Sequence, residues 1–347
     1  MIRRIGALAL LCVLAPVCAA PATTQTKHIL FVMTDGLRWQ EVFGGSDSSL
    51  LEKGQSAISR EALMPFLWTV IAKQGQIFGS HKEGSDAYVT NSFFFSYPGY
   101  SETLCGFADP RVLSNDKIPN PNVTVLEWLN KKPAYRGQIA AFGAWDVFPF
   151  IFNAERAGFP VNAGYDPFTA IPGTPRLDLL NRIKAETPRI WPDEPFDFVP
   201  FHTALEYLHA RNPKVLYLSL GETDEWAHAG NYTEYLKSIR RVDDYLRELW
   251  EAVQSMPEYR GNTTLIFSPD HGRGGGPEWK NHGQKVPDSK YIWMAFLGPD
   301  TAALGERAHI SAVTQSQIAA TLAALLGEDY SADVPRAGKP IADVLAK

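Results

Sequence analysis

Asp224 and His228 stand four residues apart in GETDEWAHAG (221–230), directly after the apolar run KVLYLSL (214–220). On a helical turn that spacing puts a carboxylate and an imidazole on one face, a pair able to hold a cation. The pattern recurs. Asp35 follows HILFVMT (28–34), Asp270 and His271 follow TTLIFSP (263–269), and His282 comes slightly later in WKNHG. Three aspartates and three histidines offer the oxygen and nitrogen donors usual for two cations of the zinc type. Singly, each residue also reads as a turn, a cap or a surface group. Together, in this order at the ends of apolar runs, they read as a metal-binding set.

A nucleophile stands between them in sequence. Ser96 lies in NSFFFSYPGYSETLCG (91–106), just before Pro98 and a short predicted helix. One reading makes Ser96 the helix N-cap. The other makes it a nucleophile, because a nearby cation and the positive end of a helix both favour a serine alkoxide.

These residues need a scaffold that brings strand ends together. From residue 28, short apolar runs alternate with amphipathic segments. QIFGSHK, GQIAAFGAW and YIWMAFLG read as further strands. FVPFHTALEYLHARN, YTEYLKSIRRVDDYLRELWEAV and TQSQIAATLAALLG read as helices, and VTVLEWLNKK carries a Thr124/Glu127 capping signature. The alternation predicts an α/β fold with a mostly parallel central sheet and helices on both faces. Ligands in such folds gather at the carboxyl ends of the strands. Segment 143–197, rich in Pro, Gly and aromatic residues with weak periodicity, reads as an insertion that caps the site.

Composition narrows the classes. The chain has 347 residues, 45% hydrophobic and 12% aromatic, enough for one large core. A net charge of −5 leaves no basic field for a nucleic-acid polymer. Residues 1–19 read as a secretory signal peptide, with cleavage possible up to residue 22, which leaves 27–347 as a single catalytic domain. The apolar stretch is too short for a stable membrane anchor, so the expectation is an exported, periplasmic or extracellular protein. Cleavage would leave Cys105 as the lone cysteine, so no internal disulfide is expected.

The ordered set Asp35, Ser96, Asp224 with His228, Asp270 with His271, and His282 resembles the alkaline phosphatase superfamily. It is nearest the nucleotide pyrophosphatase/phosphodiesterase branch, over about residues 28–327. DGLRW is similar to that branch's opening motif, SYPGY to its T-F-P-N-H nucleophile segment with Ser for Thr, and TQSQIAATLAALLG to its closing helix. The resemblance implies an alkaline phosphatase-like fold and two divalent ions, zinc first and manganese second. One ion would be held by Asp224, His228 and His282. The other would be held by Asp35, Asp270 and His271, with Ser96 as ligand and nucleophile. Asn115 would bind phosphoryl oxygens, and Tyr97 and Tyr100 would meet substrate. Gly99 and Tyr100 depart from the branch's Asn-His pair, and Tyr100 stands where the sulfatase branch has an arginine.

The implied activity is hydrolysis of a small phosphorylated substrate through a phosphoserine, with a monoester placed ahead of a diester. Lys82, Arg111, Lys117 and Arg273 are candidates to meet the extra monoester charge. Trp39, Tyr97, Tyr100, Trp145 and Phe148 are candidates to wall a second ester group. The alternatives are a phosphodiesterase or nucleotide pyrophosphatase, a sulfate-ester or phosphonate hydrolase on the same scaffold, and an exported metal-binding protein. The last would have no use for Ser96.

Overall fold

HILFVMT, KVLYLSL and TTLIFSP are apolar with almost no alternation, as strands are when helices cover both faces of their sheet. In the computed structural model, which describes residues 24–345, they form the centre of an eight-stranded sheet. The signal-peptide reading lies outside the described residues. The strands are β1 (His28–Thr34), β2 (Gln76–Phe78), β3 (Ile139–Gly143), β4 (Val161–Ala163), β5 (Val215–Leu220), β6 (Thr263–Pro269), β7 (Met294–Leu297) and β8 (Gly305–Glu306). Their spatial order is β8, β2, β7, β6, β1, β5, β3, β4. Every neighbouring pair is parallel except those that β7 makes with β2 and β6. The α/β architecture expected from the sequence is therefore present.

Register sets up the site. Thr34, the last residue of β1, is paired with Leu220 of β5 on one side and Pro269 of β6 on the other. Asp35 N–H then donates to Leu220 O at 2.8 Å, carrying the ladder one step further. The three central strands thus end level, and Asp35, Gly221 and Asp270 leave the sheet side by side.

Strand alternation sends Ile29, Phe31 and Met33 into one core and Leu30 and Val32 into the other. The first core holds helix α1 (Ser96–Cys105) and helix α6 (Ile318–Leu325). The second is covered by α3 (Phe198–Arg211) and α5 (Tyr232–Ser255), whose buried residues recur at helical spacing. Asn231 caps α5 by accepting from Glu234 N–H. A short α4 (Glu222–His228) links β5 to α5.

Two expectations change. YIWMAFLG is broken at Trp293: Tyr291–Ile292 pairs in a separate three-stranded sheet, and only Met294–Leu297 joins the main one. Segment 143–197, expected as an irregular insertion, supplies β4 at the sheet edge and α2 (Pro175–Glu186), which packs on α3. The Lys184 ammonium, buried, bonds Asn162 Oδ1 and Asp166 O, tying α2 to the end of β4.

Candidate functional site

Gly36 takes φ +56°, and a Cβ there would lie 2.7 Å from Asp224 Oδ1 and 2.8 Å from Arg273 Nη1. Only glycine both adopts that turn and leaves room for the facing carboxylate. Gly36 N–H also donates to Asp270 Oδ1 at 3.0 Å. The Asp35-Gly36 pair therefore draws the ends of β5 and β6 onto β1.

Gly99 does the same for the helix that Ser96 heads. A Cβ at Gly99 would stand 2.4 Å from Asp270 O, so α1 rests directly on the backbone after β6. Its first residue, Ser96, then sits with Oγ 3.5 Å from His271 Nε2. The N-cap position belongs to Phe95, and no side chain caps the helix, so the capping reading of Ser96 fails. Phe94, just before it, holds φ 54°, an uncommon conformation for a bulky residue, and its carbonyl faces His282 Nδ1 at 3.3 Å.

The ligand-type atoms fall into two overlapping groups. Those of Asp35, Asp270 and His271 all lie within 4.8 Å of one another, as do those of Asp224, His271 and His282. His228 Nε2 lies 3.0 Å from Asp224 Oδ2 and 2.9 Å from His282 Nε2. The rings of His271 and His282 stack with centroids 4.1 Å apart, so His271 stands between the groups.

The protonation pattern asks for cations. His271 Nδ1 is 2.8 Å from Gly272 O, a pure acceptor, so the ring proton resides there. Its Nε2 lone pair then faces Asp35 Oδ1 at 3.2 Å and Asp270 Oδ2 at 3.5 Å. Those two buried oxygens have no hydrogen-bond partner among the described residues. Burial and the neighbouring carboxylates push Asp35 and Asp270 well above the usual range. Burial also pushes His271 down to about 4 and His282 down to about 2. Lone pairs and carboxylates converge with no cation of the chain between Asp35 and Asp270. The fold and this donor set fit divalent metal.

Asp224 differs. Burial acts to raise its pKa, but Arg273 and His228 hold it well below the usual range. Arg273, buried, pairs through Nη1 with Asp224 Oδ1, while Nε donates to Trp279 O and Nη2 to Lys280 O. One guanidinium thus fixes both Asp224 and the turn that leads to His282. Arg273→Lys keeps the charge but loses the fork. We expect it to weaken affinity for a divalent metal by roughly 10–100-fold, measured by competition with a chromophoric chelator.

The remaining sequence candidates are scattered in their roles. Asn115 Oδ1 accepts from Tyr97 N–H at 3.0 Å, which brings this exposed side chain to the N-terminus of α1. The Tyr97 hydroxyl donates to Ile118 O and Phe150 O, and its ring is buried. The Tyr100 hydroxyl donates to Asp35 Oδ2 at 3.1 Å and accepts from Ser219 Oγ at 3.0 Å. Both phenols are spent within the protein, so Tyr100 orients a carboxylate instead of meeting substrate. Of the four cations, Arg273 holds Asp224, Arg111 pairs with Asp109, Lys117 pairs with Asp146, and Lys82 is exposed. Phe148 is buried in the first core; Trp39 and Trp145 are half-buried.

Residues that no sequence motif marks complete the frame. Asp197 accepts from Gly221 N–H at 2.7 Å, and Gln315 Nε2 donates to the carbonyls of Pro269 and Asp270. Glu194 is buried against Gly221.

The fold is that of the alkaline phosphatase superfamily, to which solved structures it superimposes on belong. Residues 67–317 match the family of type I phosphodiesterases/nucleotide pyrophosphatases, and this chain belongs to it. GPI ethanolamine phosphate transferase 1 of Homo sapiens is 23% identical over 297 residues, 80% of this chain and 27% of that protein. The chain thus spans about a quarter of the length of the curated relatives it matches. Alkaline phosphatase PafA superimposes with TM-score 0.63 at 11% identity, covering 94% of this chain and 100% of that one. The lipoteichoic acid synthase LtaP from Listeria monocytogenes gives 0.59 at 13% identity, over 94% and 76%. No helix among the described residues is long and apolar enough to cross a membrane.

Proposed function

We propose that the chain is an exported phosphoric ester hydrolase working through a phosphoserine at Ser96. The observation that carries this is the placement of Ser96 Oγ at the head of α1, 3.5 Å from His271 Nε2, a ring that faces the unpartnered oxygens Asp35 Oδ1 and Asp270 Oδ2. Asp224, His228 and His282 would hold one divalent ion, and Asp35, Asp270 and His271 the other. When bound, such ions, zinc in the first instance, neutralise charge on the attacking and departing oxygens.

The chain's own groups do the rest. Ser96 Oγ forms the bond to phosphorus, its proton passing to water. The bond from phosphorus to the ester oxygen breaks, and the alcohol takes a proton from water. A water oxygen then attacks phosphorus, and Ser96 Oγ leaves and regains a proton. The N-terminus of α1 favours the phosphoryl charge, and Asn115, its Oδ1 held by Tyr97 N–H, has its amide nitrogen left for a phosphoryl oxygen.

A monoester, placed first from the sequence, needs a spare cation for its extra charge. With three of the four candidates paired and Lys82 exposed, a diester or otherwise substituted ester fits better. The name of the human relative adds a second outcome, in which an acceptor other than water takes the phosphoryl group.

The test is a rate assay of purified protein after chelation and after zinc restoration. The substrates are bis-p-nitrophenyl phosphate, p-nitrophenyl phosphate and p-nitrophenyl sulfate. Zinc-dependent turnover, fastest with the diester, is expected. No turnover of either phosphate by metal-loaded protein would leave the metal-binding protein as the better reading.

A further inference from the structure

In DGLRW (35–39), Asp35 and Gly36 serve the site directly, while Arg38 bonds none of the ligand-type side chains. Arg38 is 0% exposed, as is Glu41, its ion-pair partner three residues along. Nε donates to Glu41 Oε2 at 2.9 Å, and Nη2 pairs with Glu41 Oε1. Glu41 Oε1 also accepts from the Tyr232 hydroxyl at 2.8 Å, and Arg38 N–H donates to the Tyr235 hydroxyl at 3.1 Å. Taking both charges out of water offsets most of their attraction, so apolar side chains of equal volume would stabilise the fold about as well. They could not do what the third arm does: Arg38 Nη1 donates to Gly274 O at 2.9 Å.

Gly274 is where the loop after β6 closes on itself. Its N–H donates to Asn281 O at 3.0 Å, and His282 is the next residue. On its other side stands Arg273, which pairs with Asp224 and donates to Trp279 O and Lys280 O. Trp279 is buried with its ring 5.1 Å from that of Tyr232 and 5.5 Å from that of Tyr235, the two tyrosines that bond Glu41 and Arg38. Gly275 and Gly276 have open space around their Cα atoms, and Gly276 takes φ +52°. Three glycines in a row give the loop little rigidity of its own, so its position is set from outside.

The other donor group is anchored separately. Asp35 N–H donates to Leu220 O, its carbonyl accepts from Thr223 Oγ1, and its carboxylate accepts from Tyr100. Asp270 is held by Gly36 N–H and Gln315. Between Gly36 and Arg38, Leu37 O accepts from Trp293 Nε1 at 3.0 Å, which insulates Asp35 from a change at position 38.

We propose that Arg38 is a positioning residue for Asp224 and His282, acting through Gly274 O, and so sets the affinity of one metal position and not of the other. This rests on the two-ion reading above. Arg38 touches neither ion nor substrate; it fixes the loop on which His282 and the Asp224 partner Arg273 ride.

The test uses Arg38→Lys, which keeps a charge beside Glu41 but has no fork to reach Gly274 as well. Metal-free parent and variant are titrated with zinc against a chromophoric chelator. Two equivalents are expected in the parent. In the variant one should be weakened by about tenfold or more and the other left unchanged. Arg38→Met combined with Glu41→Gln keeps the volume and the acceptor for Tyr232. It should give the same split isotherm with a melting temperature close to the parent's, and it serves if the lysine variant fails to fold. Amide hydrogen exchange of the metal-free proteins is read alongside: residues 272–283 should exchange several-fold faster in the variants, with β1 unchanged. Both equivalents unchanged, both weakened alike, or equal exchange of the loop overturns the inference. If the parent binds fewer than two equivalents, the two-ion reading fails, and loop exchange decides the role of Arg38 alone. Absence of ester turnover in the parent would count against the phosphoesterase reading only, since neither readout depends on it.

Discussion

Ser96→Ala is expected to cut turnover by on the order of ten-thousand-fold or more, with metal content and melting temperature close to those of the parent. The separation comes from the geometry. Ser96 Oγ makes a single weak contact, 3.5 Å to His271 Nε2, and caps nothing, since Phe95 holds the N-cap position. Removing the hydroxyl leaves no buried donor or acceptor stranded, so the cost to folding stays within roughly half a kcal/mol. Chemistry loses its attacking atom altogether. Acid-quenched parent protein should carry one phosphoryl group on the peptide containing Ser96, and the variant should carry none. Residual turnover of more than a few per cent, or label on another residue, would remove Ser96 from the mechanism.

The parts of this site that were legible in the sequence share a cause. HILFVMT, KVLYLSL and TTLIFSP are buried on both faces, so their apolar runs are unbroken and their ends are sharp. In such a fold, the residues just past a sharp strand end must lie at the ligand-binding edge. Asp35, Asp224 and Asp270 could be read for that reason. Tyr100 could not. An aromatic in a nucleophile segment looks the same whether it faces substrate or donates its hydroxyl to Asp35, and only the packing of α1 on the Asp270 carbonyl through Gly99 decides. Arg273 read as a spare cation because sequence does not reveal that its loop folds back on Asp224, 49 positions away. The three-residue strand Val161–Ala163 was too short to announce itself inside a Pro- and Gly-rich stretch. Glu194 was hidden in that same stretch, positioned by tertiary contact with Gly221.

Asp270→Asn carries the opposite signature from the serine variant, because it touches stability as well as chemistry. Asp270 Oδ1 accepts from Gly36 N–H at 3.0 Å, a bond an asparagine oxygen can keep. Its Oδ2 has no hydrogen-bond partner and lies 3.5 Å from His271 Nε2, in a cluster where burial and Asp35 both oppose its charge. Without metal, replacing that oxygen by an amide removes a buried acid and gives Asp35 Oδ1 and the His271 lone pair a donor. The chelated variant should therefore be more stable than the chelated parent, by about 1–3 kcal/mol. For a domain of this size that is a rise in Tm of roughly 1–5 °C. With zinc the order reverses. The parent gains stability in proportion to the logarithm of zinc over its dissociation constant, and the variant, having lost an anionic ligand, gains little. Turnover should fall by on the order of a thousandfold or more, since charge on the attacking oxygen is no longer neutralised. Melting curves of both proteins across a zinc titration should cross. A variant less stable than the parent under chelation would show that the acid cluster is already compensated by the fold. A variant still protected by zinc as strongly as the parent would show that Asp270 is not a ligand.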